Sequence, residues 1–376
     1  MEKVLFQPMK NKIYRMKEKE GRIVVEFGYV GSRMYTKFFP TTSWNELYRE
    51  KISNGYVDQT SLISEDENTE KNKISDVSDI NSVLENLRAI SRQMVDDNYR
   101  VLGFQVTDEA IAKAKDLIKK LENTGSLFEF NNILFELFSL IPRKMRNVIQ
   151  NTAKAEDDFF SIIERENDLL NNLAISKEGR NIQQVPFICK ECSPEEVEHI
   201  RNMLDPASKR KFSRVWRIDN PKNNERFDRY AKANGITKTR ELFHGSRSEN
   251  WWSILLTRLM LSPSNVIKSG AMFGRGIYFA DKADKSLGYT SLYGSRHAGG
   301  QSNKAYLAIY EVATGNEFDV DTWDSSMVML DNSRFKKEHQ SFDSLHAHAG
   351  QDLINDEYII YNEDACRIKY FLEFTI

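Results

Sequence analysis

Apolar positions fall into three different rhythms along the chain. Near the amino terminus, GRIVVEFGYVGSRMYTKFFP carries β-branched and aromatic residues around two glycines, which predicts strands joined by a turn, and SWNELYREKI predicts a short helix begun by Ser43. From about Asp79 to Ser176 the spacing becomes helical, as in Ile111, Ala114, Leu117, Ile118 and Leu121, and Pro142 closes the run FNNILFELFSLI. After Lys177 strand-like runs dominate: VPFI, RVWRI, ELFH, GIYFA, AYLAIYEV, EYIIY and RIKYFLEF. One helix start is marked there by Ser193, Pro194 and Glu196, a serine cap, a proline in the first helical position and a capping-box glutamate. The expected units are a small α+β module over 1–60, an all-helical stretch over 79–178 and a mainly β unit over 179–376. No internal repeat is visible.

Charge sharpens the first boundary. The 376 residues hold 53 Lys and Arg against 55 Asp and Glu, a balance that gives no global field towards nucleic acid or anionic lipid. Yet residues 1–60 hold 11 basic against 7 acidic side chains, while residues 61–80 hold 2 against 6. The stretch 61–78 therefore reads as an acidic, solvated linker. Three cysteines make no disulfide scaffold and point to a reducing compartment. The amino terminus lacks the apolar core of a signal peptide, and no run of ~18 apolar residues could span a bilayer. An intracellular protein without a membrane partner is expected.

Neither a GxGxxG after a strand nor a GxxxxGK[ST] is present, so Rossmann and P-loop readings lose their main support. What stands out is a set of polar residues at strand ends in the last third. These are His244-Gly245-Ser246-Arg247, Gly276-Ile277-Tyr278-Phe279-Ala280-Asp281, Lys285-Ser286-Leu287-Gly288-Tyr289 and Glu357-Tyr358-Ile359-Ile360-Tyr361. Taken singly, each has a plain alternative: a structural histidine, a core tyrosine, and an edge-strand charge for Glu357.

Together, in this order, they resemble the catalytic domain of the poly(ADP-ribose) polymerases, whose signature is a His, Tyr, Glu triad matched here by His244, Tyr278 and Glu357. The resemblance covers about 180–376 and implies a mixed α/β ADP-ribosyltransferase fold, two packed and mainly antiparallel sheets around an NAD cleft. It implies that Tyr278 and Tyr289 sandwich the nicotinamide, that the Gly245 backbone and Ser286 hydroxyl hold its carboxamide, and that His244, Ser246 and Asn250 contact ribose. Glu357 would stabilise the cationic transition state and orient the acceptor. The residue types suit this task, because NAD+ carries its own cationic leaving group and the protein need supply only an aromatic slot, a fixed amide and a negative charge. NAD enters as substrate, and no metal is expected.

The resemblance extends upstream. FELFSLIP and SIIERENDLL look like the helical regulatory domain of the DNA-dependent members, which packs on the NAD site and loosens when DNA binds. Glu164 and Asp168 share a helix face there and would line the adenosine end of the cleft, with a solvated face as the alternative. KNKIYRM, FGYVGSRMYTKFFP and EKISNGY resemble a WGR module, although Phe27-Gly28-Tyr29 stands where that module has Trp-Gly-Arg. Phe27, Tyr29, Arg22, Arg33 and Lys37 are the candidate contacts to DNA strand breaks. Two further departures are Met260, where an adenosine-side arginine is usual and Arg258 offers itself instead, and HQSFDSLHAHAG, a loop-like segment before Glu357 that bears on acceptor choice. Cys189 and Cys192 lack a second ligand pair, and His346 and His348 lack companions at ligand spacing, so neither pattern predicts a metal.

The expected protein is a monomeric, multidomain α+β ADP-ribosyltransferase acting on proteins, itself included, nuclear in a eukaryote and otherwise cytoplasmic. Polymer formation leads. Mono-transfer, a non-catalytic DNA or NAD scaffold and a simple NAD+ glycohydrolase remain the alternatives.

Overall fold

The computed structural model describes residues 2–7, 12–29, 35–58, 78–100, 106–145, 147–177, 185–261 and 272–376. At the amino end are β1 (Glu2–Gln7), β2 (Lys12–Lys19), β3 (Arg22–Tyr29), β4 (Tyr35–Pro40) and β5 (Val57–Asp58). They form an antiparallel sheet in the order β4-β3-β2-β1-β5. The β2–β3 hairpin turns on Glu20 and Gly21, whose φ values of 54° and 76° give a tight turn the twist that the strands need. Helix α1 (Trp44–Ser53) covers one face, burying Trp44 and Leu47 with Leu5, Met16, Ile23 and Val25. Ser43 does not cap α1 as expected. It lies in a 3-10 turn, outside the extended conformation that aims a capping hydroxyl, and its side chain makes no such bond.

Four helices follow: α2 (Ser78–Asn98), α3 (Asp108–Asn123), α4 (Leu127–Leu140) and α5 (Phe159–Lys177). The stripe Ile111, Ala114, Leu117, Ile118 and Leu121 is buried throughout, and α4 stops two residues before Pro142. Thr107 and Ser126 accept from the Ala110 and Glu129 N–H groups and so cap α3 and α4. Phe130 stacks on Phe159 at 3.8 Å, and a buried Arg143–Glu166 pair at 2.8 Å lies in the same region. The start of α2 behaves differently. Ile80, Val83, Leu84 and Leu87 share one apolar cluster with Trp251, Leu255 and Phe371 of the carboxyl half.

That half is mixed α/β. Strands β6 (Ile188–Glu191), β7 (Phe212–Asp219), β8 (Thr239–Gly245), β10 (Lys304–Ala313) and β14 (Cys366–Thr375) make an antiparallel sheet in the order β6-β7-β14-β10-β8. Strands β9 (Ile277–Phe279), β11 (Glu317–Val320), β12 (Ser344–Ala347) and β13 (Glu357–Ile360) make a second, ordered β11-β12-β13-β9, with only β11 and β12 parallel. Helices α6 (Pro194–Met203), α7 (Pro206–Lys211), α8 (Pro221–Ala233), α9 (Ser248–Leu256), α10 (Ala283–Leu287) and α11 (Asn332–Glu338) surround them. The sheets join where Phe243 and Ala280 exchange backbone hydrogen bonds of 2.8 and 3.0 Å. The capping box at Ser193 and Glu196 forms as the sequence predicts. The segment HQSFDSLHAHAG is not a loop throughout, because β12 runs through it and every one of its four residues is buried. Among the described residues no helix is long and apolar enough to cross a membrane.

Candidate active site

The seam between the two sheets gathers the polar residues. His244, next to the last residue of β8, has its ring against Trp251, Phe279 and Tyr310, with centroids 5.7 to 6.4 Å away. Its Nδ1 lies 3.0 Å from the Tyr278 carbonyl oxygen. A carbonyl has no proton to give, so Nδ1 carries one and Nε2 is left as an acceptor. Burial drives the His244 pKa down to about 4, which keeps the ring neutral at pH 7. Gly245 ends the strand because α10 docks on it: a Cβ there would stand 2.0 Å from the Ser286 carbonyl oxygen. This close approach sets the buried Ser286 beside Gly245. The Ser246 carbonyl accepts from Trp251 Nε1 at 3.2 Å.

Strand β13 supplies the carboxylate. Glu357 pairs with Ala347 of β12, two positions from Ile359, which pairs with Tyr278 of β9, so Glu357 sits in an interior strand and is only 6% exposed. The edge-strand reading of Glu357 is thereby excluded. Its Oε1 lies 2.6 Å from Lys285 Nζ, which also donates to the Asn355 carbonyl at 3.1 Å. Its Oε2 is buried and has no hydrogen-bond partner among the described residues. A buried carboxylate oxygen left without a donor is unfavourable, and a donor from a bound ligand would satisfy it. The Tyr278 hydroxyl donates to the Gly274 carbonyl at 2.8 Å and accepts from the Phe273 N–H at 3.1 Å. Burial, helped by the Glu357 charge, raises the pKa of both Tyr278 and Tyr289. The Tyr289 ring stacks on His297 at 4.4 Å.

A profile of the poly(ADP-ribose) polymerase catalytic domain matches residues 195–376. The chain is 33% identical over 187 residues to protein 100L of Invertebrate iridescent virus 6, described as poly(ADP-ribose) polymerase-like, covering 97% of that protein and 50% of this chain. It is 23% identical over 344 residues to rice poly(ADP-ribose) polymerase 2-B, covering 77% of this chain and 55% of that one. It is 27% identical over 194 residues to the human protein mono-ADP-ribosyltransferase PARP3, covering 42% of this chain and 32% of that one. This chain belongs to the poly(ADP-ribose) polymerase family. It is an NAD+ ADP-ribosyltransferase, with NAD+ as its substrate. It spans about half the length of the plant polymerases it matches.

Around His244, Tyr278 and Glu357 of this polymerase-family chain the fold brings in residues from elsewhere. Asn250 Nδ2 donates to Asp168 Oδ2 at 3.0 Å, so α5 reaches the rim of the site. Burial pushes the Asp168 pKa up to about 7, the Asn250 hydrogen bond opposes the rise, and the charges of Glu164 and Glu249 add to it. Glu164 shares the helix face of Asp168 but is exposed. Lys285 and His297 escaped the sequence reading as site residues. Lys285 had a signal, since it precedes Ser286 in the same short motif, whereas nothing in the sequence ties His297 to Tyr289. Arg258 pairs with Glu363 at 2.7 Å and with Asp364.

At the amino end Phe27 is half-buried, with Tyr14 and Tyr35 at 6.3 and 5.9 Å and Lys37 Nζ over its ring at 5.4 Å. The Arg22 guanidinium lies 5.1 Å over Phe38. Tyr35 and Phe38, not singled out from the sequence, are the exposed aromatics there, at 66% and 59%. Arg33 and the Tyr29 side chain lie outside the described residues.

Proposed function

We propose that this transferase moves ADP-ribose from NAD+ onto protein side chains through Glu357, His244 and Tyr278, builds polymer, and responds to DNA breaks. The single observation that carries the catalytic part is the Glu357 carboxylate, with one oxygen held by Lys285 and the other buried without a donor. Nicotinamide binds between Tyr278 and Tyr289, its carboxamide against the Gly245 backbone and the Ser286 hydroxyl. His244 Nε2 accepts from a ribose hydroxyl, and Ser246 and Asn250 add ribose contacts. Glu357 Oε2 accepts from the nicotinamide ribose, and its charge faces the oxocarbenium ion that forms as the C–N bond breaks and nicotinamide leaves with the electron pair. The acceptor oxygen then bonds to the anomeric carbon, and a hydroxyl acceptor passes its proton to Glu357.

Glu357→Gln is expected to lower transfer from labelled NAD+ by roughly 10²–10³-fold with NAD+ affinity nearly unchanged, because the charge acts in the transition state. Undiminished transfer by that variant would reject the mechanism. Polymer follows from the complete triad. The similarity to a mono-ADP-ribosyltransferase favours single-unit transfer instead, and a gel separates a smear from a discrete band.

The amino-terminal sheet, read as a WGR-like module, supports the DNA response through Arg22, Lys37 and the exposed Tyr35 and Phe38. The α2–α5 region, read as the regulatory domain, holds Asn250 through Asp168 and loosens when DNA binds. Nicked DNA is expected to raise activity at low salt. Equal rates with and without DNA would reject the sensing role.

A further inference from the structure

The face of β13 opposite Glu357 carries chemistry that transfer does not use. Side chains alternate across a strand, so Asp356 and Tyr358 point away from Glu357 and meet β12 and β11 on the other side. His346 and His348, two apart on one face of the β12 segment, meet Asp319 of β11, which pairs directly with His346. Asp319 Oδ1 lies 3.3 Å from His346 Nδ1 and 2.9 Å from His348 Nε2, and the two imidazole centroids are 4.0 Å apart. One ligand atom from each of the three lies within 4.8 Å of the others. The carboxylate companions that the local sequence lacks are thus supplied by β11, where Asp319 lies 27 residues before His346 and 29 before His348, and by Asp356, ten residues after His346.

His346 is the ordered member. It is 7% exposed, its ring stacks on Tyr358 at 4.1 Å, and its Nε2 lies 2.8 Å from Asp356 Oδ2. Asp356 is itself fixed by the Ala349 N–H at 2.8 Å. With Nε2 facing Asp356, His346 turns its Nδ1 towards the oxygens of Asp319 and, at 3.7 Å, Glu317. An imidazole nitrogen and two carboxylates that converge in this way offer a cation ligands from both sides. A carboxylate behind a ligating imidazole is also the usual support for a metal-bound histidine. Ligands roughly 2.0–2.1 Å from a tetrahedral Zn2+ stand about 3.3 Å from one another, close to the separations of Asp319 from the two imidazoles.

We propose that Asp319, His346 through Nδ1 and His348 through Nε2 bind one divalent first-row cation, best Zn2+, with Asp356 orienting His346 from behind. The donor set of two imidazoles and one carboxylate suits Zn2+ and leaves a fourth position for water. The site stands apart from the transfer chemistry. It is tied to it by one peptide bond, since Asp356 precedes Glu357, and by Lys285, whose ammonium touches both Glu357 and the Asn355 carbonyl. Bound metal clips β11, β12 and the start of β13 together.

The test titrates Co2+ into the full chain and follows visible absorption, then repeats the titration with Zn2+ as competitor. One equivalent of saturable binding is expected, displaced by Zn2+ and not by Mg2+. His348→Ala is expected to abolish it, and Asp356→Asn to weaken it by about 10–100-fold. Zn2+ is expected to raise the thermal midpoint of the parent chain and leave that of His348→Ala unmoved. Should His348→Ala fail to fold by circular dichroism, Asp319→Asn, at an exposed position, takes its place. Absence of saturable binding, equal binding by these variants, or intense near-ultraviolet bands that assign the metal to Cys189 and Cys192 would each overturn the proposal.

Discussion

Two five-stranded antiparallel sheets stand in this chain, and they differ in what covers them. In the carboxyl sheet the central strands β10 and β14 are buried along most of their lengths, with α2 and α9 packed on one face, α6 and α10 on the other, and the second sheet at its edge. In the amino-terminal sheet α1 covers one face, and β4 is exposed at five of its six residues. Pairing and strand number are the same, so backbone hydrogen bonding does not separate a site from a surface. Desolvation does. Around the active site His244 is pushed down to about 4, Asp168 up to about 7 and Tyr278 well up, and each owes it first to burial. The open face of the other sheet holds Arg22 over Phe38, a pair that remains available to a polyanion.

The contrast can be broken most sharply at Gly245. Adding a Cβ there places it 2.0 Å from the Ser286 backbone oxygen, so β8 and α10 must separate. Gly245→Ala is expected to cost about 1–3 kcal/mol in urea denaturation and to abolish NAD+ binding with it. Unchanged stability would mean that the seam is looser than its contacts imply. A second, smaller effect concerns Asp168. Its pKa is about 7 in the folded chain against about 3.9 unfolded, so the folded state binds the extra proton between these values. Stability present below about pH 4 is therefore lost as pH rises towards 7. About 1–2 kcal/mol of that slope is expected to vanish in Asp168→Asn, after discounting the shift for a half-buried side chain. Denaturation midpoints at several pH values measure it, and an identical slope in the variant would detach Asp168 from the buried rim. The smallest effect is expected on the open sheet. Phe38→Ala should change stability by no more than about 0.5 kcal/mol, and a loss as large as that of Gly245→Ala would show that this face is covered after all.

How far the sequence carries depends on the kind of signal. The helical stripe of α3, the end of α4 at Pro142 and the capping box of α6 were legible because each rests on neighbours within about four residues. His244, Tyr278 and Glu357 stand out for another reason, since each sits in a short distinctive motif, and the fold brings all three to the seam between the two sheets. Ser43 misled because a capping residue type says nothing of whether the preceding backbone is extended. The β12 segment misled because Ser, His and Gly around Leu345 look like a loop until β11 and β13 pair with it on both sides. Phe27 stands out in the amino-terminal sequence, but cross-strand packing half-buries it and leaves Tyr35 and Phe38 at the surface.

The sequence by itself determined the family of this protein, its reaction class and most of its helices, because those are written in local periodicity and in ordered short motifs. Tertiary structure alone decided that Lys285 grips Glu357, that Asp168 reaches Asn250 across 82 residues, and that His346 and His348 meet Asp319. Such contacts join segments far apart in the chain, and no local pattern encodes which strand will lie beside which. Burial, set by the same packing, then decides which of these groups carries a charge.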